Sequence, residues 1–227
     1  MKSSSRFAFT LIEMLVVISI IAILAAFAVP ALTRALTKGQ MTGTMNNARQ
    51  LYLAGFQMAT DGAANSDPNY SWPGDDTSVT TLEAYISKLV QNDYLKAGDA
   101  QKILNAPGAI CTVTATTTSG VTTAKLGGKS ALKVYKAKEV DASSTIFCDT
   151  ANYSYNTTLD ASKAPYGDKG FVVIRKGGDA SIFLKNQATT ANTGGDMSKF
   201  QNSVGLLPTS SGAVPTAEDS TMVLTYP

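Results

Sequence analysis

Cys111 and Cys148 are the only thiols in the chain, and there is no histidine at all. That absence removes Ser-His and Cys-His nucleophile pairs, imidazole metal ligands and imidazole acid–base catalysis. Two cysteines without histidine make a poor metal site, so no metal is expected. In an exported domain two cysteines most simply form one disulfide, with Cys111 and Cys148 as the candidates. A loop of that size would stabilise by roughly 3–4 kcal/mol in the chain-entropy model. Two separate buried thiols are the alternative. The carboxylates offer no more. Asp61, Asp67, Asp75 and Asp76 crowd one loop, but their spacing fits no EF-hand pattern. Asp75-Asp76 and Glu218-Asp219 sit in turn-rich sequence, poor ground for an acid–base pair. Gly177-Gly178 and Gly194-Gly195 lack the lysine and hydroxyl residue of a phosphate loop. These residues assign no catalytic group and no cofactor, and the expectation is that the protein is not an enzyme.

Glu13 differs from these because it stands at the head of an apolar run. Residues 14–32 are nineteen positions without a formal charge, almost all apolar. As a helix they would cover about 28 Å, close to the ~30 Å hydrocarbon core of a bilayer. Lys2 and Arg6 lie just before the run. An ordinary secretory signal would explain the basic start and the small-x-small sequence Ala26-Phe27-Ala28. A plain anchor with a cytoplasmic N-terminus would explain the cations. Neither gains from a carboxylate at the entrance of the run, which weakens insertion.

The local sequence Arg6-Phe7-Ala8-Phe9-Thr10-Leu11-Ile12-Glu13 resembles the processing site of type IV prepilins and pseudopilins. In that family a short basic leader is cut before the apolar run, the new N-terminal residue is methylated, and a Glu stands fifth in the mature chain. The resemblance implies cleavage between Ala8 and Phe9, N-methylation of Phe9, and an assembly role for Glu13. Ala8 stands where the family most often has Gly. Pro30 falls at mature position 22, where the family often has a helix-loosening proline. The resemblance covers roughly residues 2–60. It implies a pilin-like α+β fold, processing by a prepilin peptidase, and assembly with copies of itself and other pilins or pseudopilins through an inner-membrane platform. Major pseudopilins often carry an Asp-rich calcium loop near the C-terminus, and Gly194-Gly195-Asp196 does not reproduce it.

The physical logic stands beside the resemblance. Cleavage at Ala8 creates a positive amine on Phe9, and side-by-side helices would bring the Glu13 carboxylate of one near the amine of another. A charge in a low-dielectric setting is tolerated when paired, so pairing would favour assembly and fix axial register. Removing Lys2 and Arg6 from nineteen basic residues leaves seventeen, equal to the acidic count. Such balance gives no global field to attract nucleic acid, and none is expected as a partner. Lys133, Tyr135, Lys136 and Lys138 are a thin hint of a basic groove.

The positioning elements run in chain order. Residues 1–8 are the leader. Residues 9–60 read as one long bent helix: 9–32 spans the membrane or fills a filament core, Pro30 loosens it, and 33–60 is an amphipathic half. Ala48, Leu51, Leu53, Gly55, Phe56, Met58 and Ala59 form its apolar face, and Asp61-Gly62 is the expected stop. Residues 61–77 are a loop holding the only tryptophan, Trp72. A second helix opens with a capping box from Thr80 to Glu83 and runs to about 95. A third covers 99–106 with Asp99 as cap. Strands are expected at 110–115, 131–139, 145–149, 153–159, 171–175, 180–185 and 221–226, with a hairpin turn at 176–179 and a long loop at 186–219. The fold class is α+β, with the exported globular domain at 61–227 carrying an antiparallel sheet. The expected protein is a single-pass inner-membrane subunit, in contact with membrane lipid, with its C-terminal domain periplasmic or extracellular. Its function would be structural, in a type IV pilus-like filament or a type II secretion pseudopilus. The alternatives are a minor pilin acting as an adhesin or a ligand- or DNA-binding module, and a membrane-anchored protein of unrelated, enzymatic function.

Overall fold

The computed structural model describes residues 10–209 and 214–226. Helix α1, Leu11–Asn65, is a single 55-residue helix with Pro30 inside it. It overruns the expected stop at Asp61-Gly62. The chain leaves the helix at Ser66, which takes a left-handed φ of 55°, and Asp67 N donates back to the Gly62 carbonyl at 2.9 Å.

The chain divides into two compact units, Met1–Gly39 and Gln40–Pro227. In the first, the described residues are the opening of α1, and its large apolar side chains are exposed, between 46% at Val17 and 83% at Leu11. In the second, the rest of α1 buries Met41, Thr44, Ala48, Leu51, Tyr52, Met58 and Ala59 at helical spacing. Leu53 and Phe56, expected on the packed face, remain about half exposed.

Four glycines in α1 fall into two kinds. A Cβ on Gly55 would stand 2.0 Å from the Tyr85 hydroxyl, and one on Gly62 would stand 1.7 Å from the Tyr70 carbonyl oxygen. Close packing demands both. Over Gly39 and Gly43 there is nothing within 4 Å.

Helix α2, Leu82–Gln91, buries Leu82, Tyr85, Ile86, Leu89 and Val90 as its spacing predicts. Its cap is Thr81, one residue later than expected, whose hydroxyl accepts from Ala84 N at 3.1 Å. Glu83 does not close a box with Thr80. Its carboxylate accepts from Leu126 N at 2.9 Å, across to the neighbouring hairpin. Thr81→Ala is therefore expected to lower stability by about 1 kcal/mol and Thr80→Ala by a few tenths at most, read from urea midpoints. Helix α3, Ala97–Ile103, begins at Lys96, not Asp99. Asp99 sits in the first turn and pairs with Lys102.

Strands β1, Cys111–Thr118, and β2, Val121–Gly128, form a two-stranded antiparallel sheet. The sequence pattern shows β1 and does not show β2. Ser119 and Gly120 both take left-handed φ, 53° and 82°, which is the two-residue turn that matches strand twist. The base of this hairpin is held by helix side chains. Ser87 Oγ bonds both the N–H and the carbonyl of Ala124, and Gln101 Oε1 accepts from Val113 N.

Strands β3, Leu132–Val134, β4, Ile146–Thr150, β5, Gly170–Arg175, and β6, Ala180–Leu184, form a four-stranded antiparallel meander in chain order. Every residue of β3, β4 and β5 is buried, because the sheet is covered on both faces. Val134, Cys148, Val172 and Ile174 face the cluster that includes α1 and α2. Tyr135, Phe171 and Val173 face a second cluster with Tyr153, Tyr155 and Phe200. Period-2 alternation distributes each strand between two cores.

Several expectations are corrected. The strand expected over 131–139 is three residues long. Residues 153–159 make turns, not a strand. Within 186–219 lies a further helix, α4, Met197–Val204, capped by Asp196 accepting from Lys199 N. Residues 221–226 form no strand, only the bridges Tyr135–Val223 and Thr81–Thr225.

Candidate functional site

Ala8 and Phe9, the expected cleavage and methylation positions, lie outside the described residues. Glu13 is described, and its surroundings are more specific than its sequence context implies. Thr10 N donates to Glu13 Oε2 at 2.8 Å, Thr10 Oγ1 donates to the same oxygen at 2.7 Å, and Glu13 N donates to Thr10 Oγ1 at 3.2 Å. This is a reciprocal capping box, Thr-x-x-Glu, that starts α1. All its atoms belong to residues 10–13, so cleavage before Phe9 would leave it intact. The carboxylate is therefore hydrogen-bonded within its own chain.

Beyond Glu13 the helix has the length and composition to cross a membrane, with mean hydropathy 2.9 over its most apolar stretch. Pro30 has no N–H to offer the carbonyl four residues back. The helix nonetheless continues, and Thr33 Oγ1 donates to the Pro30 carbonyl at 3.0 Å.

Cys111 and Cys148 are both free and buried. Cys148 sits inside β4 and Cys111 opens β1, in different sheets. No bridge joins them in this structure. Burial in apolar surroundings pushes both thiols above their ordinary range, Cys148 well above it. Neither has the character of a reactive thiolate.

The basic groove is also revised. Lys133 is 1% exposed and Tyr135 fully buried. Lys133 Nζ donates to both oxygens of Glu218 at 2.7 Å and to the Tyr153 carbonyl at 2.6 Å. Tyr135 OH lies 2.5 Å from Glu218 Oε2 and 3.0 Å from Asp149 Oδ2. Tyr155 N donates to Glu218 Oε2 at 3.1 Å. Two members of the supposed groove are thus the centre of an interior network that sequence reasoning missed. Alternation of apolar and charged residues places Lys133 outward by pattern alone, and nothing local to it announces Glu218.

Trp72 is buried and anchors its loop among Tyr52, Phe56 and Phe147, with ring centroids 5.9–6.3 Å away. Phe56, Ala59, Thr60, Ala63, Trp72 and Lys176 line much of an open groove of about 400 Å³. Lys176 stands 5.2 Å from the Trp72 ring, and its ammonium is held by the Glu139 and Asp141 carbonyls. Its polar groups thus serve the loop and do not converge on a reacting position. Among the described residues no cluster of three or more acidic or thiol groups could hold a metal ion.

Against known proteins, residues 3–29 match the family model described as the prokaryotic N-terminal methylation motif. No curated protein and no solved structure matches the chain. The match spans Ala8, Phe9 and Glu13 and stops one residue before Pro30. It is the prepilin-type motif of type IV pilins and pseudopilins, and it ends before the globular domain begins.

Proposed function

We propose that this chain, carrying the prokaryotic N-terminal methylation motif on an apolar helix that runs on into a folded domain, is a pilin-like structural subunit. The motif implies processing by prepilin peptidase and assembly with other pilins. The apolar helix and the motif fit a single-pass membrane-anchored protein. In this reading the peptidase cuts between Ala8 and Phe9 and the new amine is methylated. The subunit is stored in the inner membrane with residues 40–227 on the far side. An inner-membrane platform then draws it into a filament or pseudopilus by packing of its N-terminal helix.

One observation carries the reading. Glu13 is the single carboxylate at the entrance of an uncharged run, five residues from the cleavage position inside the matched motif. In the capping box its Oε2 is the oxygen bound by Thr10. Oε1 is left to meet the Phe9 amine of a neighbouring copy, so capping and pairing are compatible.

The test is the mass of the N-terminal peptide of the native protein. It is expected to begin at methylated Phe9. A peptide beginning at Val29 would mean ordinary secretion with loss of the helix, and an intact Met1 from a host that possesses the peptidase would mean a plain anchor. Either result would end the subunit reading.

A further inference from the structure

The network around Lys133 has a proton count that fixes the state of Asp149. A lysine ammonium has three protons to donate. Lys133 commits them to Glu218 Oε1, Glu218 Oε2 and the Tyr153 carbonyl, leaving Asp149 Oδ1 3.6 Å from its nitrogen. Tyr135 has one proton and two carboxylate neighbours. It sits closer to Glu218 Oε2, at 2.5 Å, than to Asp149 Oδ2, at 3.0 Å. With that proton given to Glu218, the contact to Asp149 is a hydrogen bond only if Asp149 donates. Asp149 Oδ1 has no hydrogen-bond partner, and the residue is 0% exposed. An anion in that position would be desolvated, with Lys133 at 3.6 Å as its nearest cation and no hydrogen bond to Oδ1. A neutral carboxylic acid fits it.

We propose that Asp149 holds a proton at neutral pH, and that losing it loosens the C-terminal segment held by Glu218. This goes beyond the subunit reading and does not depend on it. The charged and titratable groups facing Asp149 are Lys133 from β3, Tyr135 just beyond it, Tyr153, Glu218 and Tyr226 from the C-terminal segment, and Cys148 beside it on β4. Lys133 is the one cation among them. When Asp149 gives its proton to solvent, two carboxylates share that cation, and Asp149 draws the Tyr135 proton away from Glu218.

Glu218 is what fastens the segment at this end. Farther on, Leu224 N donates to the Val134 carbonyl at 2.9 Å, Lys136 N to the Met222 carbonyl at 2.8 Å, and Leu82 N to the Thr225 carbonyl at 2.8 Å. The segment therefore covers the free edge of β3 and the start of α2. Its release uncovers an unpaired strand edge. The sign is set by burial, which raises the acid of Asp149 well above the usual carboxylate range, with Lys133 opposing and Glu218 reinforcing. The closed state holds the proton more tightly than the open one. Closure is favoured at low pH and lost as pH rises through the raised value of the folded state.

The test uses the full chain in detergent micelles. Amide exchange at Leu224 and Thr225, corrected for its intrinsic pH dependence, is expected to reveal opening that rises by up to about ten-fold per pH unit between the ordinary carboxylate range and that raised value, and levels off above it. Asp149→Asn, whose amide donates to Tyr135 as the acid does, is expected to keep the segment closed and abolish the pH dependence. An infrared band of a protonated carboxyl is expected at neutral pH in the native chain. It should be absent from Asp149→Asn, and absent from Glu218→Gln, where Asp149 becomes the counter-ion of Lys133. A native chain lacking that band overturns the proposal whatever the variants do. So does an Asp149→Asn chain that is open at every pH, since Asp149 would then serve as an anion, or one that keeps the native pH dependence.

Discussion

Glu13→Gln is expected to insert into the membrane and to be processed normally, yet to leave the assembled fraction lower by on the order of 100-fold. That is the scale for neutralising one member of a desolvated charge pair. The choice of glutamine matters because Glu13 does two things. It closes the capping box with Thr10, and it supplies the charge for a neighbour's N-terminal amine. Glutamine retains the first role, being an ordinary third residue of a capping box, and loses the second. Glu13→Ala loses both and should assemble no better. Sedimentable filament or pseudopilus, quantified against membrane-inserted monomer, decides the matter. If the glutamine chain assembles like the native one, the carboxylate is a helix cap and nothing more, and the charge-pairing account fails.

The second large effect lies in the domain. Lys133→Met is expected to destabilise it by roughly 3–5 kcal/mol, because Glu218 and the Tyr153 carbonyl lose the buried donor they share. Methionine fills much the same space, so the loss is electrostatic and not a cavity. Denaturant unfolding of the full chain, followed through the buried Trp72, measures it. Lys133→Met combined with Glu218→Gln should cost clearly less than the sum of the two single changes, since the first already removes the partner the second would strand. Strict additivity would mean that the two residues do not act as a pair.

Legibility in the sequence divides by the range of the interaction. α1 is readable because a nineteen-residue uncharged run and a helical spacing from Ala48 to Ala59 are both local patterns. The β5–β6 hairpin is readable from Lys176-Gly177-Gly178-Asp179, and Gly178 takes the left-handed φ of 85° such a turn needs. β2 is hidden although Ser119-Gly120 is a turn signal, because the flanking threonines and small residues give little contrast between the faces of the strand. α4 is hidden because its polar sequence buries only Phe200 and Val204. Its cap, Asp196, comes after two glycines that read as loop. Thr10-Leu11-Ile12-Glu13 carries a capping box in plain view, but the charge of Glu13 draws attention away from its part in starting the helix. Lys133 is beyond reach of any local reading. Its partner stands 85 positions away in a segment that forms no strand.

Gly39 and Gly43 gain meaning from the contrast with Gly55 and Gly62. Where the helix is packed, glycine is the only residue that fits. At 39 and 43 alanine would fit as well, and each glycine forgoes about 1 kcal/mol of helix stability relative to it. Both lie where one compact unit ends and the next begins. Considered as a mechanical part, α1 has a soft turn there, looser than the seated turns around Leu51 and Met58, just as Pro30 gives it another nearer its start.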